Sequence, residues 1–157
     1  MASALAIVPR QLINVGAVRA AVVGCLDDTA TEVEKDFGRT TATWSHDVPF
    51  TTVVQGWTRI VLTQEAIYAM LNKGTKPHVI MPRNARALVF QVPYSAKSSP
   101  GVIASKGGGP GGQTVYTRGP VNHPGTEARN WDQTIAETWL ALFPVRMQQA
   151  ITGAVRS

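Results

Sequence analysis

The chain has 157 residues, 44% hydrophobic and 16% charged, with 15 Lys and Arg against 10 Asp and Glu for a net charge of +5. This length suits one domain with a proper core, and the apolar content excludes a disordered, highly charged segment. Charge density lies below the usual ~25%, which points to surface covered by other chains, while a bias of +5 is too mild to mark a nucleic-acid footprint.

Pro9 opens the first periodic segment. Val15, Val18, Val22, Cys25 or Leu26, Thr29 or Ala30, Val33 and Phe37 recur at steps of three and four, the pattern of an amphipathic helix. Gly38 is a natural stop, giving a helix of about 27 residues, roughly 40 Å long. Asp27, Asp28, Glu32, Glu34, Lys35 and Asp36 crowd its second half, as on a solvated face. Residues 48–62 then read as a hairpin: Val48, Phe50, Thr52 and Val54 alternate, Gln55-Gly56 turns, and Trp57 to Leu62 returns. Thr40 to His46 is expected to add a strand ahead of it.

Thr63 is placed as N-cap of a short helix of about ten residues that carries Ile67, Met70 and Leu71 and stops at Gly74. Pro77 and Pro82 bracket an extended stretch. Leu88, Phe90 and Val92 mark a strand with one apolar face, and Thr114 to Arg118 returns. Between them, residues 93–112 form a Gly/Ser/Pro-rich loop without periodicity, long for a compact domain. Asn130 and Gln133 set up a capping box for the last helix. Its apolar face holds Ile135, Trp139, Leu142 and Met147, and Pro144 should kink or split it. The order predicts a single α+β domain over 1–157. A small, mostly antiparallel sheet is packed by a long N-terminal helix, a short middle helix and a C-terminal helix kinked at Pro144.

No residue set assembles catalytic chemistry. Cys25 is the one cysteine, which excludes an internal disulfide and a multi-cysteine metal site; it lies among Val22, Val23 and Leu26 as a small apolar residue. His46, His78 and His123 lack ligand spacing, and the last two sit beside Pro77 and Pro124 in loop grammar. Asp132 and Glu137 begin a helix, where acids favour the dipole anyway. Gly107 to Gly112 is interrupted by Pro110 and lacks the Gly-Lys-Ser/Thr ending of a phosphate-binding loop. No enzyme activity, cofactor or metal is expected. No apolar run approaches the roughly 18 residues of a membrane span, and Met1 to Val8 lacks the plan of a signal peptide. Eight bases between Lys73 and Arg129 face only Glu127 in that window. They are suited to phosphate or to acidic faces of neighbouring subunits, but stacking aromatics are not interleaved with them.

Two passages carry more information than any single residue. The first is Tyr68-Ala-Met-Leu-Asn-Lys-Gly74-Thr75-Lys76-Pro77-His78-Val79-Ile80, followed by Pro82-Arg-Asn-Ala-Arg-Ala-Leu88-Val-Phe90. The second is Val121-Asn-His123-Pro124-Gly125-Thr126-Glu-Ala-Arg129, leading into the terminal helix. Together they resemble the small neck or tail-completion proteins of long-tailed bacteriophages, the siphophages. Asp36-Phe37-Gly-Arg-Thr-Thr-Ala-Thr-Trp44 looks like the version in phages of actinobacteria. The resemblance spans residues 10 to 155, and the 94–112 loop departs from it in length and glycine content.

The resemblance implies a non-enzymatic structural protein that forms a ring, with six copies expected, at the head–tail junction of the virion. Such a ring joins the capsid connector to the tail tube, leaves a channel for the passing genome, and is assembled in the bacterial cytoplasm. The expected subunit-interface residues are Lys97, Lys106, Gly108 and Gly111 of the loop, with Asp28 and Glu32 of the acidic helix. A small basic DNA-binding protein and another tail component, such as a tail-tube or minor tail protein, remain as alternatives.

Overall fold

The computed structural model describes residues 13–95 and 109–156. Helix α1 runs from Val15 to Thr41, with Asn14 as N-cap accepting a hydrogen bond from the Ala17 amide at 3.0 Å. It passes straight through Gly38, whose missing side chain leaves open space, so that residue is no stop. Thr40 and Thr41 return their hydroxyls to the Phe37 and Gly38 carbonyls and continue the helix. The strand expected at residues 40–46 is therefore absent; the segment is helix end and turn.

Strands β1 (Thr51–Gln55) and β2 (Thr58–Leu62) form the expected hairpin, with Gln55 opposite Thr58. Its two-residue turn is Gly56-Trp57, and Gly56 adopts φ 58°, a conformation open to glycine at little cost. Helix α2 (Ala66–Lys73) is shorter than expected because Glu65, not Thr63, is its N-cap. The Thr63 hydroxyl instead accepts from the Glu65 amide at 3.2 Å, one step upstream. Strands β3 (His78–Ile80) and β6 (Val121–His123) pair antiparallel, as do β4 (Leu88–Ser95) and β5 (Gly109–Thr117). Helix α3 spans Trp131–Arg156.

The chain is α+β, with three helices and small antiparallel sheets among the described residues. Among the described residues, the one small sheet expected from the pattern is instead three two-stranded ribbons. The 93–112 loop is likewise corrected: β4 reaches Ser95 and β5 starts at Gly109, so both ends of that span are paired strand. The proline at 93 is absorbed at a register shift between Val92 and Tyr94, where a bulge removes the need for its missing amide.

Helix α3 continues through Pro144 without being split. Its inward face is Trp131, Ile135, Trp139, Phe143 and Met147, a step of four. Leu142, expected inside, is 45% exposed. Phe143 instead borders a cleft of about 280 Å³ with Leu26, Val33, Phe37 and Val61.

The core is aromatic. Trp131 is fully buried and Tyr68 nearly so, and their rings stack at 5.2 Å. Phe50 meets Tyr68 edge-on at 5.1 Å, Phe37 stacks on Phe50 at 5.5 Å, and Trp44 and Leu71 close the cluster with Val48. Such edge and offset contacts add about 0.5–1.5 kcal/mol per pair beyond area burial. One staple ties the long helices: Asp36 Oδ2 accepts from Trp139 Nε1 at 3.0 Å, while Oδ1 holds Arg39.

Candidate functional site: the threonine clasp and the uncovered faces

The two passages singled out in the sequence meet face to face. Thr75 and Thr126 exchange backbone hydrogen bonds of 2.8 and 3.1 Å, and the Thr126 amide also reaches the Thr75 hydroxyl at 2.9 Å. The two segments stay in contact beyond this antiparallel bridge: the Arg129 amide donates to the Leu71 carbonyl and the Asn130 amide to the Asn72 carbonyl, both at 3.0 Å. Gly74 (φ 73°) and Gly125 (φ 90°) stand on either side of the bridge. A β-carbon on Gly74 would lie 2.7 Å from the Thr126 carbonyl oxygen, and one on Gly125 would lie 2.2 Å from that of Thr75. Both glycines are needed twice, for their conformation and for the approach of the other segment.

The clasp also starts α3. Asn130 takes φ 53° and does not form the expected capping box. The cap comes from across the joint: Asn72 Oδ1 accepts from the Trp131 amide at 2.7 Å and the Asp132 amide at 3.3 Å. A buried amide oxygen thus satisfies two of the helix's orphan donors. No spacing rule links residues 59 positions apart, so this contact was invisible in the sequence.

At the other end of the clasp, His78 and His123 are register partners with rings 5.0 Å apart. His78 Nδ1 donates to the Lys76 carbonyl at 2.9 Å, and His123 Nδ1 accepts from the Gly125 amide at 3.0 Å. The two rings therefore hold opposite tautomers and buttress the turns on each strand. Among the described residues, no group of three or more His, Cys, Asp or Glu could hold a metal ion.

Of the six expected interface residues, Gly111, Asp28 and Glu32 are described. Lys97, Lys106 and Gly108 lie outside the described residues. Gly111 is on β5, and β4 and β5 pack on each other rather than on α1. Glu32 is engaged by Lys35 at 2.9 Å along its own helix, which holds its carboxyl below the usual range. Most other acids of α1 are also taken: Asp27 by Arg59, Asp36 by Arg39 and Trp139, and Glu34 by the Thr52 hydroxyl at 2.7 Å. Among the described residues Asp28 has no such partner, and it is exposed beside Cys25, Thr29 and Arg146 in a groove between α1 and α3. The eight bases of residues 73–129 are not one set either. Arg129 is buried at 7% exposure, with its Nε unpaired, whereas Lys73 and Lys76 are exposed.

Uncovered apolar surface is the larger feature. Among the described residues, five hydrophobic side chains are buried while 17 large ones are exposed, an inversion of the usual order. The exposed ones lie on several elements: Val54, Trp57 and Ile60 on the first hairpin, Ile67 and Met70 on α2, Val89 and Tyr116 on β4–β5, Leu140 and Val145 on α3. No described helix is long and apolar enough to cross a membrane. The chain matches no family model, no curated protein and no solved structure.

Proposed function

We propose that this chain is a non-enzymatic structural subunit of a bacteriophage virion, forming an oligomeric ring at the head–tail junction that joins the capsid connector to the tail and leaves a channel for DNA. The observation that carries the reading is the excess of uncovered apolar side chains over buried ones. Apolar surface left exposed in excess is a mark of protein–protein contact. Because it is spread over several elements, it suits a subunit with neighbours on more than one side. The two resembling passages fold onto each other as one clasp, so they act as a unit that directs β3, β6 and α3. Heterologous contacts around a rotation axis close into a ring.

The test is the mass of the purified chain in solution together with its copy number in intact particles. Six or twelve copies per virion support a single junction ring. Hundreds of copies move the chain into the tail tube. Absence from the virion, with DNA affinity that falls steeply as salt rises, replaces the reading with that of a DNA-binding protein.

A further inference from the structure

Arg59 and Arg129 both hold their heads largely out of water, and only Arg59 has partners among the described residues. Its side chain, 8% exposed, gives Nε to Asp27 and Nη1 to the Gly56 and Thr58 carbonyls. Arg129, 7% exposed, has no hydrogen bond or ion pair to its guanidinium among the described residues, and its Nε is sealed from solvent without an acceptor. All ten Asp and Glu of the chain are described, and the ion pairs they form are with Lys35, Arg39 and Arg59. The chain offers Arg129 no carboxylate of its own.

A guanidinium cannot shed its charge, and a long side chain free to choose puts its head in water. A buried charge without a counter-charge is among the costlier arrangements in a fold, and a water molecule satisfies a donor but not a charge. The clasp pins the residue there. The Arg129 amide donates to the Leu71 carbonyl and the next amide to the Asn72 carbonyl, both at 3.0 Å, and Asn130 follows at φ 53°. The two Nη nitrogens are not sealed as Nε is, so the fork end of the group is the end that can be reached. Two parallel N–H groups match the paired oxygens of a carboxylate or phosphate.

We propose that Arg129 is the anchor of an oxyanion site whose ligand, a carboxylate or phosphate, comes from outside the chain. Two sources present that chemistry: a small anion in solution, and an acid side chain of a neighbouring copy. The first stands without the ring reading above and the second rests on it. Asp28, Asp47, Glu127 and Glu137 are exposed and in no ion pair among the described residues, so a neighbour has carboxylates to give.

The test follows melting of the full chain at pH 7 in chloride, acetate and inorganic phosphate at equal ionic strength, for the unaltered chain, Arg129→Met and Arg129→Lys. Phosphate strengthens burial in any protein, so only the difference between variants counts. An anion from solution should raise the melting temperature of the unaltered chain by about 5 °C more than that of Arg129→Met near saturation. Arg129→Lys should keep less than half of that gain, because an ammonium lacks the fork. In chloride, Arg129→Met should melt no lower than the unaltered chain, since an apolar side chain of similar volume replaces an unpaired buried charge. If the source is a neighbour, the anion shifts are equal, and Arg129→Met instead lowers ring formation or particle incorporation at least tenfold with melting in chloride preserved. Melting of Arg129→Met several degrees below the unaltered chain in chloride would show that the guanidinium stabilises its own fold, and would overturn the proposal. Equal anion shifts together with rings unimpaired by Arg129→Met would overturn it too and leave the ring reading intact. A chain absent from particles removes the ring reading, and removes the proposal with it only where no anion shift depends on Arg129.

Discussion

Gly125 approaches Thr75 so closely that a β-carbon would lie 2.2 Å from the Thr75 carbonyl oxygen, with the backbone already at φ 90°. Gly125→Ala therefore combines a strained conformation with a backbone overlap that no side-chain rotation relieves. The expected loss is about 3 kcal/mol, or about 10 °C in melting temperature for a chain of this size. Gly74→Ala should behave alike, since its β-carbon meets Thr126 and Ala128 backbone atoms. Thermal denaturation of the two variants checks this. A loss below about 1 kcal/mol at both sites would show that the clasp yields.

Asn72 is the remote cap of α3. Asn72→Ala leaves the Trp131 and Asp132 amides without their acceptor at a buried site, at a cost of about 1–2 kcal/mol. Asn72→Asp keeps an acceptor oxygen at a positive helix end and should recover most of it. Urea denaturation of both variants separates loss of the cap from loss of side-chain volume, because only the alanine should shift the midpoint strongly.

Tyr68 predicts an alkaline limit. Burial is the chief cause that pushes its hydroxyl up to about 12; the Asp132 charge adds to this and the Thr40 hydroxyl opposes it. The unfolded phenol titrates near 10, so the folded state holds the proton more tightly. Stability is fully present below pH 10 and is lost as pH rises towards 12, by an amount on the order of 2 kcal/mol. Tyr68→Phe should flatten that part of the pH profile. Equal alkaline slopes in both proteins would exclude Tyr68 as the cause.

The Asp36–Trp139 staple isolates one hydrogen bond between α1 and α3. Trp139→Phe keeps an aromatic ring for packing but removes the indole donor, and should cost about 1–2 kcal/mol, part from the charge-assisted bond and part from lost area. Asp36→Asn, which keeps an acceptor, should cost less. Glu32→Gln breaks an exposed i,i+3 pair with Lys35 and should change the unfolding midpoint very little. A larger effect from Glu32→Gln than from Trp139→Phe would reverse this ordering of the α1 acids.

Local chemistry was readable wherever the determinant lies within a few residues. The stripe from Val18 to Phe37 specified α1 because a 3.6-residue period needs no knowledge of what it packs against. Gly56 marked the hairpin and Gly74 the end of α2, since a positive φ is cheap for glycine alone. The same reasoning misjudged Gly38, which sits in ordinary helix, and Leu142, because the period of a long helix does not say which side meets α1. Tertiary structure decided the rest. Asn72 caps a helix 59 residues away, Thr75 finds Thr126 across 51, and Asp36 bonds Trp139 across 103. The segment at 93–112 shows no periodicity in the sequence because glycine and proline weaken any strand signal. Its ends become strand through pairing, a property of two segments together. The sequence by itself thus determined the helices, the turns and the alternation of strands, whose energies are local. Only the folded chain decided which turns clasp each other, how the strands divide into three ribbons, and which apolar faces are left for a neighbour, because those depend on contacts between residues far apart in the chain.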